Sequence, residues 1–203
     1  MGKSTLTQAI TDHLETAGLS VHMFREMEIE DHPACVEVMK QFVVSGEATR
    51  PALLRAADTY LKLVDGLAQV IVLDALFPYL PSLLAWGDTD VEITEFFAQM
   101  AGLLSNFEVV EIHLIGDLEA GLKRAGSREG GDWLAKHIKK VSGYRGAPNV
   151  STLEDAADYL DVLALRSTML LKNAPWTVAF INADNGIESA TTEALDALKM
   201  SVL

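Results

Sequence analysis

Apolar positions along the chain switch repeatedly between a helical and a strand period. Leu6, Ala9, Ile10 and Leu14 recur at helical spacing over 4–16, and Gly18 stops that run. A short strand is predicted over 19–24, closing on Arg25-Glu26, followed by an acidic loop over 27–33. Helical spacing returns over 36–44 and breaks at Ser45-Gly46. Thr49 is placed to cap a helix with Pro51 in its first turn; Leu53, Leu54, Ala57, Leu61, Val64 and Leu67 keep its period. Val70-Ile71-Val72-Leu73 is an unbroken aliphatic run ending on Asp74, as expected of a strand covered on both faces. Residues 75–86 are apolar but interrupted by Pro78 and Pro81, which predicts short helix and loop lining a cleft.

The alternation continues with a helix over 91–104, a buried strand over 109–115 and a helix over 118–125 capped by Asp117. Arg124, Arg128, Lys136, His137, Lys139, Lys140 and Arg145 then follow among five glycines, and this stretch holds much of the positive charge. Ser151-Thr152 caps a long helix to about 172, a last strand covers 177–181, and a turn leads into a closing helix over 187–198. Strands alternating with helices predict an α/β domain with a mainly parallel sheet, and 203 residues suit a single domain over 1–203.

Composition narrows the function. A net charge of −13 argues against a nucleic-acid surface, though a nucleotide needs only a local basic pocket. Cys35 is the sole cysteine, so no intramolecular disulfide forms and a reducing cytoplasm is expected. No secretory leader opens the chain, and Asp74 and the prolines rule out a membrane span around 70–86. The five histidines show no metal-ligand spacing.

Candidate chemistry begins at the amino terminus. Gly2-Lys3-Ser4-Thr5 is the second half of a phosphate-binding loop, G-x-x-x-x-G-K-[ST], at the head of the first helix. In such a loop, backbone N–H groups wrap the phosphates, the lysine (here Lys3) reaches the β/γ oxygens and the hydroxyl (here Ser4) holds Mg²⁺. The loop's first glycine and its strand are not in the sequence. Either Met1 is internal to a longer chain, or the protein is a degenerate relative that binds partners or nucleotides weakly. The missing N–H donors predict that the 203 residues alone hold nucleotide poorly. Asp74, at the carboxyl end of a buried strand, stands where α/β folds bind ligands. There it would position Mg²⁺ or take the acceptor's proton; the plainer reading is a turn residue. Arg124 and Arg128, beside glycine hinges, have the planar forks that pair phosphate oxygens. Arg25 and Glu26, at a strand end, face an acceptor or plain solvent. Phe77 would stack on an acceptor ring or simply fill the core.

In this order the pieces resemble the P-loop nucleoside and nucleotide kinases, most closely thymidylate kinase. Arg25-Glu26 resembles the family's Arg-Glu-Pro segment, and Leu53-Leu54-Arg55-Ala56-Ala57-Asp58 its Leu-Leu-Phe-Ala-Ala-Asp helix. Asp74 stands at the family's Asp-Arg, with Ser82 to Trp86 like the Ser-Ser-Leu-Ala-Tyr that follows. Residues 110–124 resemble the strand, Asp and helix leading to an arginine-bearing lid, and Ile181-Asn182-Ala183-Asp184 the Ile-Asp-Ala ending. Met27-Glu28, Thr59 and Ala75 depart from the pattern; the last two replace arginines that touch the acceptor nucleotide, so the acceptor stays open. The resemblance implies a three-layer P-loop NTPase fold, with helices on both faces of the sheet and a small helical lid over about 124–148. It implies ATP and Mg²⁺ as cofactors, Gly2 to Thr5 around the phosphates, Ser4 and Asp74 at the metal, and Lys3, Asp74, Arg124 and Arg128 in catalysis. Arg25, Glu26, Asp58 and Phe77 fall on the acceptor side. It allows a homodimer and implies neither nucleic acid nor membrane as partner. Two other readings remain: a non-catalytic binding or regulatory module on the same scaffold, and a phosphotransferase for a non-nucleotide alcohol.

Overall fold

A computed structural model describes residues 2–74, 79–145, 147 and 150–202. In chain order its regular elements are α1 (Lys3–Thr16), β1 (Val21–Phe24), α2 (Val36–Ser45), α3 (Arg50–Val64), β2 (Val70–Leu73), α4 (Leu80–Trp86), α5 (Asp90–Leu103), β3 (Val110–Ile115), α6 (Leu118–Glu129), α7 (Trp133–Ser142), α8 (Leu153–Leu171), β4 (Thr177–Asn182) and α9 (Ile187–Val202). The fold is therefore mixed α/β, and two compact units divide it. One comprises Met1–Tyr79, Glu95–Leu114 and Pro175–Leu203, and the other Leu80–Thr94 and Ile115–Ala174. Among the described residues no helix is long and apolar enough to cross a membrane.

Most element ends follow local chemistry. Gly46 ends α2 in the left-handed region at φ 75°, where a Cβ would be strained, and its N–H returns to Phe42 O. Pro51 sits in the first turn of α3. Asp117 caps α6 by accepting from Ala120 N at 2.8 Å. Two elements depart from expectation. Residues 26–30, read as loop, form a 3-10 turn, and α7 arises inside the basic, glycine-rich stretch. In α7, Leu134, Ile138 and Val141 do keep helical spacing, but the lysines between them hid it.

All four strands belong chiefly to the first unit, and the expected single sheet is divided. β1 pairs with β2 in parallel, Val21 opposite Val70 through Phe24 opposite Leu73, while β3 pairs with β4. Two apolar clusters flank them. Phe24, Ala34, Cys35, Tyr60 and Val64 pack with Ile71, Leu73 and Tyr79. Leu6 and Ile10 of α1 pack with Ile181 of β4 and with Ala190 and Ala194 of α9, adjoining Ile112 and Leu114 of β3. Burying one such large side chain stabilises the fold by about 1.5–3 kcal/mol.

In the second unit α8 packs on α4, α6 and α7. Gly87 there has φ 91°, and a Cβ at its position would lie 3.3 Å from Arg145 Cβ, so both backbone and space favour glycine.

Candidate phosphate corner

The site is assembled by one helix start and two strand ends of the first unit. α1 opens after Gly2, whose backbone is extended (φ −114°, ψ 161°), with no side-chain cap and no acidic residue in the first turn. Its first N–H groups have no partner within the helix, so this end presents donors and the positive pole of the helix dipole. Thr5 is exposed in that turn. Because β1 and β2 run parallel and in register, their next residues emerge at one edge: Arg25 and Glu26 after β1, Asp74 after β2. Asp74 N donates to Phe24 O at 3.0 Å, which fastens the two ends together.

The side chains converge there. Ser4 Oγ donates to Asp74 Oδ2 at 2.7 Å. Asp74 is only 8% exposed, and its second oxygen, Oδ1, is buried without a hydrogen-bond partner. A buried acceptor left unpaired costs about 1–3 kcal/mol, so this oxygen is primed for a donor or a cation. Lys3 Nζ donates to Glu26 Oε2 at 2.8 Å; both side chains are more than half exposed, at 55% and 61%. An exposed pair of this kind is worth about 0–1 kcal/mol and exchanges readily. Arg25 Nη2 donates to Gln8 Oε1 at 3.2 Å, Gln8 Nε2 donates to Asp12 Oδ1 at 2.7 Å, and Arg25 N donates to Glu28 Oε2 at 2.9 Å.

The structure thus brings together Gly2, Lys3, Ser4, Thr5, Arg25, Glu26 and Asp74. Asp58 pairs instead with Lys62 at 2.6 Å and lines an open groove of about 300 Å³ with Leu54, Arg55, Gln99 and Leu103. Arg55 in that groove is itself held by Glu37. Arg124 and Arg128 lie on α6 in the second unit, where Arg128 Nε donates to Glu129 at 2.8 Å. Phe77 falls outside the described residues.

Gln8 and Glu28 escaped the sequence reading. Gln8 lies one helical turn from both Ser4 and Asp12, so a shared face was legible, but its partner Arg25 is set by tertiary register. Glu28 follows Arg25 at the spacing of a helix-start box, a signal that was available.

Magnesium demands oxygen ligands and is commonly held by one or two protein groups together with substrate phosphates. Ser4 Oγ and the unpaired Asp74 Oδ1 meet that demand. Among the described residues no cluster of three or more His, Cys, Asp or Glu is placed to hold a metal. Compared with known proteins, the chain matches no family model and no curated sequence.

Proposed function

We propose that the chain is an ATP- and Mg²⁺-dependent phosphotransferase, acting in the cytoplasm on a nucleotide, nucleoside or similar small molecule. Its scaffold would be a three-layer P-loop fold of the thymidylate kinase kind. The observation that carries this reading is the 2.7 Å bond between Ser4 and Asp74, residues 70 positions apart, beside a buried oxygen with no partner. The bond puts a hydroxyl of the Gly-Lys-Ser-Thr segment on the aspartate that closes the aliphatic strand, the two groups the reading assigns to Mg²⁺.

Phosphoryl transfer needs positioning and charge neutralisation more than covalent chemistry from the protein. Bound Mg²⁺ would neutralise the β- and γ-phosphate oxygens, held by Ser4 and Asp74. Lys3 exchanges Glu26 for phosphate, at a cost limited to that of a weak exposed pair. The α1 N–H groups receive phosphate oxygens along the helix dipole. Arg25, fixed by Gln8 and Glu28, offers its guanidinium to an anionic acceptor.

Thermal unfolding with millimolar ATP, with and without Mg²⁺, tests the reading. A ligand at ten times its Kd stabilises by about 1.4 kcal/mol. The expected result is Mg²⁺-dependent stabilisation that Lys3→Ala and Ser4→Ala abolish. No stabilisation by any adenine nucleotide with Mg²⁺ contradicts it. A second reading, a non-catalytic nucleotide-binding module, is favoured by Glu26 occupying Lys3 and by Thr59 standing in place of an arginine. Acceptor-dependent ADP release separates the two: the enzyme shows it and the module does not.

A further inference from the structure

α8 carries apolar side chains on two opposite faces. The inner face, with Ala156, Tyr159, Leu163, Ser167 and Leu171 buried, belongs to a helix that packs on α4, α6 and α7 of its own unit. A helix so placed is expected to be polar on its outer face. Yet Val162, Leu165 and Met169 are 57%, 63% and 60% exposed. Their spacing of three and then four residues sets them on one line along the helix, the seam along which two helices pair. Among the described residues no other helix shows three large exposed apolar side chains at this spacing.

Charge is arranged along the same line. Asp158 lies seven residues before Leu165 and Lys172 seven after it, so all three share the seam. Both charged residues are exposed, and among the described residues neither forms an ion pair. Glu154 and Asp161, a turn either side of Asp158, leave that end acidic, while Lys172 makes the other end basic. Arg166 is already engaged, donating from Nη2 to Asp90 at the start of α5, where Val91 is also exposed.

The order acid, apolar, base says what covers this face. A parallel copy would set Asp158 on Asp158 and Lys172 on Lys172. An antiparallel copy centred on Leu165 sets Leu165 on itself, Val162 by Met169, and Asp158 by Lys172 twice over, as a two-fold axis requires. We propose that the outer face of α8 pairs with α8 of a second copy of this chain, antiparallel about an axis at Leu165. A seam this short is smaller than the roughly 800 Å² per partner of a stable interface, so the dimer is weak and reversible, with a Kd on the order of 100 μM.

Sedimentation equilibrium of the 203-residue chain tests the pairing independently of phosphoryl transfer, without nucleotide and at about 0.15 M salt to screen the net negative charge. Between about 10 μM and 1 mM the average mass should climb from that of one chain toward that of two. Leu165→Asp brings two carboxylates together on the axis and should weaken association on the order of tenfold or more, with the far-UV circular dichroism and Tm of the parent. Asp158→Lys and Lys172→Asp should each weaken it alone. An equimolar mixture of these two variants should recover it, because each then presents lysines to the other's aspartates. That recovery stands as a test whether or not Leu165→Asp folds. A chain that stays monomeric at 1 mM overturns the proposal. So does association that a folded Leu165→Asp leaves unchanged, mass that grows past two chains, or charge variants that fail to recover on mixing.

Discussion

At the scale of single residues, Asp74 carries two states in one carboxylate: Oδ2 is satisfied by Ser4, and Oδ1 is buried and unpaired. Its placement was legible because an aspartate that closes an aliphatic strand falls at the carboxyl edge of the sheet. The Lys3–Glu26 pair was not, since it depends on how far β1 runs before the chain turns. Glu111 presents a different case. It accepts from Trp176 Nε1 at 2.9 Å, and burial pushes its carboxyl up to about 7, partly offset by that bond. A carboxyl raised in the fold binds its proton more tightly there than in the unfolded chain, so stability falls as pH rises from about 4.5 to about 7 and then levels. The loss should be on the order of 3 kcal/mol. Glu111→Gln keeps an acceptor for Trp176 and should flatten the dependence, raising stability near pH 8 relative to the parent; urea unfolding midpoints across this range check it. Tyr60 is fully buried with a hydroxyl that lacks a partner. Tyr60→Phe should therefore be neutral or stabilising by up to about 1 kcal/mol, read from the same unfolding curves.

At the scale of elements, local chemistry decided what the sequence could reveal. Ser151-Thr152 announced α8 because a capping box is a short-range device. Thr152 Oγ1 accepts from Asp155 N at 3.1 Å, and Asp155 Oδ2 accepts from Ser151 N and Thr152 N, each at 2.9 Å. These bonds hold the Asp155 carboxyl down to about 2. A depressed carboxyl stabilises above its ordinary 3.8, and that contribution is lost as pH falls toward about 2. Thr152→Ala should cost about 1 kcal/mol, measured by thermal or urea unfolding. By contrast α7 was concealed by its own lysines, whose charge masked the period of Leu134, Ile138 and Val141. The division of the strands into two pairs was also invisible, because an aliphatic run announces a strand but not its neighbours.

At the scale of the whole molecule, the acidic balance and the phosphate corner pull in opposite directions. A chain of net charge −13 repels a free nucleotide, so the nucleotide binding proposed for the corner would have to come from the α1 N–H groups, Lys3 and a cation rather than from the overall field. The alternating pattern of helix and strand was enough to expect an α/β fold. Its division into two compact units, with α6, α7 and α8 in one and every strand pair chiefly in the other, follows from packing between distant segments that no local window contains.

An amide NMR titration of the 203-residue chain with ATP, with and without Mg²⁺, reads the corner residue by residue and registers even weak binding. Nucleotide held at the head of α1 predicts Mg²⁺-dependent shifts centred on Gly2 to Leu6 and on Asp74, with the Mg²⁺ dependence lost in Asp74→Asn. Unmoved Gly2 to Leu6 amides at millimolar nucleotide, or shifts centred on another surface, would contradict it.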